Sequence, residues 1–214
     1  EAIEHQLSRL HGEIPIPIVG CGRTDTGVHA HFFVAHADLP SRTDVQQLKY
    51  KLNKMLPPDI AVFRIYPVAA DAHARFGATA RTYRYFLHRE KSAFLRNSLH
   101  YTGKLDFERM NEAGKLLLGK QDFTSLSKLH TDVKTNICTV TEAFWQEDGE
   151  QVFFQITADR FLRNMVRATV GTLLEVGSGK LNPEDITAIL EAKSRSAAKV
   201  SVEARGLFLW DVKY

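Results

Sequence analysis

The amino-acid sequence predicts an α+β fold in which helices flank a largely antiparallel, mixed sheet. Segments rich in β-branched and aromatic residues follow one another across short turns, and Asp148-Gly149 is a strong hairpin signal between residues 136–146 and 151–160. Helical patterns stand between groups of such segments. Alternating βαβ units, which would indicate a parallel sheet, are therefore not the expected arrangement.

The first half of the chain is predicted to contain two helices and four strands. The helices are expected at residues 1–10 and 42–56, where Thr43 caps the second helix and Pro57-Pro58 stops it. The strands are expected at residues 14–20, 31–39, 60–69 and 79–90.

The second half begins again with a helix and ends with a strand. Besides the two hairpin strands, it is predicted to contain a helix that ends at Gly119, a helix capped by Asn182 with Pro183 at its first position, and a third between them. These helices span residues 106–120, about 161–176 and 182–193, and the closing strand spans 206–214. Because no low-complexity linker interrupts the chain, 1–104 and 105–214 are expected to be two intimately packed halves of one region.

Composition excludes several classes of protein. Of the 214 residues, 44% are apolar and 25% are charged, which is typical of a globular protein rather than a disordered or collagen-like one. No stretch approaches the roughly 18 apolar residues of a membrane span, and the first residues lack the apolar centre of a signal peptide, so a cytoplasmic protein is expected. Cys21 and Cys138 form no closely spaced metal-ligand pair.

The distribution of charge is more informative than the net charge of +3. Between residues 75 and 104 there are seven Lys or Arg residues and one acid, Glu90. This excess predicts a surface that attracts phosphate groups.

The stretch GCGRTDTGVHA, residues 20–30, places Asp25 within a glycine-rich bend. A phosphate cradle is a poor interpretation, since no Lys-Ser/Thr follows and the acid would repel a phosphate. A tight turn in which Asp25 caps neighbouring N–H groups is the plain alternative. Composition alone does not decide between this alternative and a functional carboxylate.

The same stretch closely resembles the GAGRTDAGVHA signature of the bacterial tRNA pseudouridine synthase A (TruA) family. Three further segments resemble the family in the same order: DAHARFGATARTYRYFL, DFTSL and FLRNMVRATVGTLLEVGSGK, at residues 71–87, 122–126 and 161–180. The closing GLFLWDVKY resembles the last strand of the family. Cys21 and Thr26 depart from the signature, where alanine is usual. The family also has a strand and a Gly-Trp-Gln segment upstream of the first helix, and we expect this N-terminal strand to be missing here.

The resemblance implies a pseudouridine synthase fold over residues 1–214 and an enzyme that modifies tRNA at positions 38 to 40 of the anticodon stem-loop. It implies that Asp25 is the catalytic carboxylate and that Arg167 pairs with it. By the same resemblance, Tyr83 stacks on the flipped base, and Arg23 fills the space left by that nucleotide or holds its phosphate. No cofactor and no metal are implied; tRNA is the partner, and the family forms homodimers.

A non-catalytic RNA-binding module is the alternative function. Such a module keeps the basic residues near Arg81 and Arg84 but has no use for an acid that faces phosphates. A structural domain of a larger assembly is a third, weaker possibility. The presence of Asp25, Tyr83 and Arg167 together favours the enzyme.

Overall fold

The computed structural model describes residues 1–40, 42–128 and 135–214. Within these ranges the helices are α1 (Ala2–Leu10), α2 (Val45–Met55), α3 (Phe107–Lys115), α4 (Met165–Gly177) and α5 (Asp185–Glu191). The strands are β1 (Val19–Gly20), β2 (His29–Ala30), β3 (Ala35–His36), β4 (Ala80–His88), β5 (Leu99–His100), β6 (Gly119–Asp122), β7 (Ile137–Asp148), β8 (Gln151–Ala158) and β9 (Leu207–Lys213).

Seven of the strands form one mixed sheet in the order β2-β9-β4-β8-β7-β6, with β5 beside β4. The pairs β9–β4, β4–β8, β8–β7 and β7–β6 are antiparallel, whereas β2–β9 and β4–β5 are parallel. The predicted α+β class with a largely antiparallel sheet is therefore confirmed. The hairpin predicted from Asp148-Gly149 is confirmed as well, although its two turn residues are Gly149 and Glu150: Asp148 pairs with Gln151, and Gly149 has a φ of +61°.

The chain divides into two compact units, residues 1–22 with 34–78 and residues 23–33 with 79–214. The first unit contains α1, α2 and the short β1–β3 pair. Its core consists of Leu7, Ile16, Leu48, Leu52 and Leu56. The second unit contains the seven-stranded sheet, α3, α4 and α5. In the described ranges, no helix has both the length and the apolar character that crossing a membrane requires.

The core of the second unit lies on one face of the sheet. Alternate residues of β4, β8 and β9 are almost fully buried there, because side chains two positions apart share a face. They are Tyr85, Leu87, Phe154, Ile156 and Leu209. Helix α3 packs against both β7 and α4, and this arrangement fixes α4 beside the sheet.

Two predicted features of the first unit are wrong in detail. Residues 60–69 form no strand in the part of the chain that the structure describes, because the backbone N–H and C=O of Val62 bond to the side-chain amide of Asn53 at 2.7 and 2.8 Å. The cap of α2 is Asp44, whose carboxylate accepts from the N–H groups of Gln46 and Gln47. The hydroxyl of Thr43 instead donates to the Pro40 carbonyl.

Other predicted elements differ in their bounds. The strands predicted at residues 14–20 and 31–39 shrink to two-residue strands, β1 and β3. Helix α3 ends four residues before Gly119, which begins β6 with a φ of +92°. Glu184 stands at the N-cap position of α5, and the Asn182 side chain accepts a hydrogen bond from Arg109.

Candidate active site

Asp25 lies in a tight turn immediately before β2. The turn is closed by a hydrogen bond from the Val28 N–H to the Asp25 carbonyl, 3.1 Å long, and Gly27 takes a φ of +84°, which favours glycine. Strand β2 then pairs with β9, so the sheet anchors the chain directly after the turn. The Asp25 carboxylate is partly exposed, with 26% of its side-chain surface open to solvent.

Arg167, in the first turn of α4, is the closest cationic partner of Asp25. Its Nη1 donates to Asp25 Oδ2 at 3.0 Å, and its Nε donates to the Val202 carbonyl at 2.8 Å. Because the guanidinium is planar, these two bonds fix its orientation as well as its position. The resemblance led us to expect this pairing, and the structure shows the contact.

Residues 199–202 form a strap that crosses α4 and supports Arg167. The Val202 N–H donates to the Arg167 carbonyl at 3.2 Å, and the Lys199 N–H donates to the Thr172 hydroxyl. A side chain at Gly171 would overlap the Val200 carbonyl, so the close crossing requires glycine there. The strap therefore holds the helix turn that carries Arg167.

The strap is also attached to the sheet through a tyrosine. The Tyr85 hydroxyl donates to the carbonyl of Glu203, directly after the strap, at 3.0 Å. Burial raises the pKa of Tyr85, and the Glu203 carboxylate raises it further, while Arg167 and Arg205 oppose the rise. Tyr85 thus remains a neutral hydrogen-bond donor, which links β4 to the support of Arg167.

A second arginine approaches the other oxygen of the Asp25 carboxylate. Arg163 Nε lies 3.8 Å from Asp25 Oδ1, and 59% of the Arg163 side chain is exposed. The helix predicted to begin near Phe161 begins at Met165, because Asn164 adopts a left-handed φ of +65°. The Asn164 side chain donates to the Ser201 hydroxyl at 2.6 Å, which ties this turn to the strap.

These residues border an open cavity of about 390 Å³. Its lining consists of Asp25, Thr26, Lys128, Arg163, Asn164 and Arg167. Lys128 joins the cavity because its N–H donates to the Arg163 carbonyl at 2.9 Å. One carboxylate and three cationic side chains therefore meet at one solvent-accessible depression, an arrangement suited to an anionic ligand.

The sequence analysis located part of this lining. Asp25 and Arg167 are brought together as expected, but Lys128, Thr26 and Asn164 were not singled out. Lys128 lies two residues after the DFTSL segment, which ends at Leu126, and that proximity to a motif was the available signal. Arg163 lies four residues before Arg167, inside the segment predicted as a helix over about 161–176.

Tyr83 and Arg23 are not among the described residues that line the cavity. Tyr83 lies in β4 with 8% of its surface exposed, and its ring packs edge-on against Phe161 with the centroids 5.0 Å apart. Phe161 is two residues from Arg163, so this contact links the tyrosine to the cavity-lining segment. Arg23 is exposed, two residues before Asp25.

Only part of the basic segment at residues 75–104 is exposed to solvent. Arg75, Arg89, Lys91, Arg96 and Lys104 are exposed. The Arg84 guanidinium instead lies 4.2 Å from the ring centroids of both Phe153 and Trp210, and its Nε donates to Gln155. Burial lowers the pKa of Arg84, and the Asp148 carboxylate opposes that shift. Because these contacts occupy its guanidinium, we expect Arg84 to stabilise the sheet and not to belong to the surface that attracts phosphate groups.

No cluster of three or more His, Cys, Asp or Glu side chains within residues 1–40, 42–128 and 135–214 is arranged to hold a metal ion. The charged groups that the described part of the site offers to a ligand are the Asp25 carboxylate and the neighbouring cations. An α+β fold with a mixed sheet and a cavity that combines one carboxylate with several cations is consistent with an enzyme that acts on a polyanion.

Comparison with known proteins identifies the family. The sequence model described as tRNA pseudouridine synthase matches residues 113–214. The chain is 52% identical to tRNA pseudouridine synthase A of Parabacteroides distasonis over 216 residues, covering all of this chain and 85% of that protein. It is 53% identical to the Porphyromonas gingivalis protein of that name and 40% identical to the Bacillus subtilis one, over the whole chain and 86% and 88% of those proteins. The chain belongs to the tRNA pseudouridine synthase A family.

Proposed function

We propose that this enzyme isomerises uridine to pseudouridine at positions 38 to 40 of the tRNA anticodon stem-loop and that Asp25 is its catalytic carboxylate. Membership of the family makes the chain a tRNA pseudouridine synthase. The observation that carries the assignment of Asp25 is its carboxylate, which faces an open cavity while one arginine approaches each of its oxygens.

Pseudouridine formation is an isomerisation. The bond between C1′ and N1 of the uridine breaks, the base turns, and a bond forms between C1′ and C5; C5 loses its proton and N1 gains one. No electrons are exchanged with another molecule, so the overall reaction requires no redox cofactor. It does require a carboxylate as nucleophile or electrostatic partner and an acceptor for the C5 proton. The attack of Asp25 on C1′ and its attack on C6 are both compatible with these requirements.

The target uridine must leave the base stack before Asp25 can reach it. Arg167 would hold the carboxylate in a fixed orientation toward the cavity, since its guanidinium donates an oriented hydrogen bond to Asp25 Oδ2. The family resemblance supports two further roles. Tyr83 stacks on the flipped base and assists proton removal at C5, and Arg23 fills the space left by the nucleotide or binds its phosphate.

In the remaining parts of the proposal, the homodimer comes from the resemblance, whereas the location and the two halves come from the sequence itself. The enzyme works as a homodimer whose two subunits both contact the tRNA, and it acts in the cytoplasm. Residues 1–104 and 105–214 are the two halves of the catalytic region.

The decisive experiment is Asp25→Asn. Asparagine has nearly the same size and keeps one carbonyl acceptor but has no negative charge. Unmodified tRNA is incubated with the parent and the variant, and pseudouridine is detected by carbodiimide labelling. We expect a folded variant with equal or slightly higher tRNA affinity and no detectable pseudouridine.

Asp159→Asn is the matched control, because the Asp159 carboxylate caps backbone N–H groups of Thr139 and Arg160 and lies outside the cavity lining. This variant should keep a stability close to the parent's, since asparagine caps N–H groups about as well as aspartate, and it should keep its activity. If Asp25→Asn behaved in the same way, forming pseudouridine at the parent's rate, Asp25 would be a turn cap and the assignment would be wrong.

A further inference from the structure

The two arginines that approach Asp25 are held very differently. Arg167 is 22% exposed and makes two hydrogen bonds, one to Asp25 and one to the strap. Arg163 is 59% exposed, and its Nε lies 3.8 Å from Asp25, beyond hydrogen-bond distance. Arg167 is thus a fixed partner of the carboxylate, whereas Arg163 is free to take another partner at little cost.

Lys128 lies beside Arg163 at the same cavity. The hydrogen bond between their backbones fixes the two residues next to each other, and the Lys128 side chain is exposed. With Arg167 neutralising Asp25, Arg163 and Lys128 leave the described lining with two uncompensated positive charges. Two neighbouring cations repel each other, and an anion placed between them relieves that repulsion.

We propose that Arg163 and Lys128 form a subsite for the RNA phosphate that flanks the target uridine. On RNA binding, Arg163 exchanges its loose contact with Asp25 for the phosphate, to which a guanidinium can donate two parallel hydrogen bonds. Asp25 then keeps only its hydrogen bond with Arg167. The two cations also separate the Asp25 carboxylate from the phosphate, which would otherwise repel it. This inference rests on the proposed function, since that function brings the nucleotide to this cavity.

The first test is the salt dependence of binding to a synthetic anticodon stem-loop RNA. Each lost phosphate contact should reduce the slope of log K against log[salt] by about 0.7–0.9. Arg163→Gln and Lys128→Gln should each show this reduction, and Arg163→Lys, which keeps a charge that binds phosphate, should restore the slope.

Lys180→Gln is the matched control. It also removes one exposed cation and one surface ion pair, because Lys180 Nζ lies 3.2 Å from Glu175 with 67% of the Lys180 side chain exposed. Lys180 follows the far end of the 13-residue helix α4, about 20 Å from the end near Arg163. The Lys180→Gln slope should equal that of the parent.

The second test removes the charge from the RNA instead. Stem-loops are made with an uncharged methylphosphonate at the phosphate on either side of the target uridine. At one of these positions the parent should lose about tenfold in affinity, the expected effect of a charged hydrogen bond, and the double variant Arg163→Gln/Lys128→Gln should lose nothing further. Equal losses in the parent and in this double variant at both positions, or an unchanged salt slope in Arg163→Gln, would overturn the proposal.

These binding measurements do not depend on turnover. Pseudouridine formation by the parent is measured on the same stem-loop as a separate readout. A parent that binds with the expected slopes but forms no pseudouridine contradicts the proposed function and leaves the phosphate subsite supported. An active parent in which Arg163→Gln binds like Lys180→Gln contradicts the subsite alone.

Discussion

Replacing Arg167 by lysine tests whether the geometry of the guanidinium, rather than its charge, is what the active site needs. Arg167 uses two nitrogens of one planar group, Nη1 for Asp25 at 3.0 Å and Nε for the Val202 carbonyl at 2.8 Å. Lysine keeps the positive charge but offers a single ammonium nitrogen on a flexible stem. The variant therefore cannot reproduce both bonds with the same directions.

The expected loss follows from the bond that is given up. A hydrogen bond to a charged group contributes about 1.5–3 kcal/mol. If the lysine leaves Asp25 without its oriented donor and the carboxylate works in the transition state, the rate of pseudouridine formation should fall about 10- to 100-fold, since 1.36 kcal/mol corresponds to a factor of ten. Affinity for tRNA should change little because the net charge of the cavity is the same.

Single-turnover formation of pseudouridine on unmodified tRNA, followed by carbodiimide labelling, measures this rate directly. Arg109→Lys is the control, because the Arg109 guanidinium also donates two hydrogen bonds, to the Leu181 carbonyl and to the Asn182 side chain, but is not among the described residues that line the cavity. We expect that control to keep a rate close to the parent's. A near-parental rate in Arg167→Lys would refute the argument that an oriented pair is required.

Two further predictions concern residues outside the cavity. Arg84→Ala should lower the free energy of unfolding by about 1–3 kcal/mol in a urea titration, because the contacts of the guanidinium with two aromatic rings are lost. The slope of log K against log[salt] for tRNA binding should equal the parent's. A reduced slope with unchanged stability would mean that Arg84 binds phosphate. His88 is 4% exposed, and its pKa is lowered by burial first and by the charges of His100 and Arg205 second. In the unfolded chain His88 has the ordinary histidine pKa of about 6.5. As the pH falls below that pKa, the unfolded chain binds a proton at His88 that the folded protein does not, so stability is lost in that range. His88→Gln should flatten the dependence of thermal stability on pH there, and a profile with the parent's steepness would assign the acid sensitivity to other groups.

Much of the fold could be predicted from local sequence because the relevant signals are local. Gly149 marks a two-residue hairpin turn with Glu150, and alternating apolar residues give β8 its buried face. Residues 60–69 show why the same reasoning failed elsewhere. Ile60, Val62 and Ile65 pack against the core of the first unit, so β-branched residues are placed there without a neighbouring strand. Such residues indicate burial, whereas a strand also needs a partner strand to bond with, and at Val62 the Asn53 side chain makes those hydrogen bonds instead.

The candidate site shows the same division between local and distant information. The segment FLRNMVR reads as continuous helix, which would put Arg163 and Arg167 on one face, four residues apart. Because the backbone of Asn164 is left-handed, Arg163 is not part of the helix and does not share a face with Arg167. The Asn164 side chain donates a hydrogen bond to the Ser201 hydroxyl at this point. Ser201 belongs to the strap, 37 residues further along the chain. Because Arg163 leaves from a turn and Arg167 from the helix, each approaches a different oxygen of Asp25, and only the helical one is held by a second bond. The difference between a fixed and an exchangeable cation thus depends on a contact that no local pattern of residues 161–167 encodes.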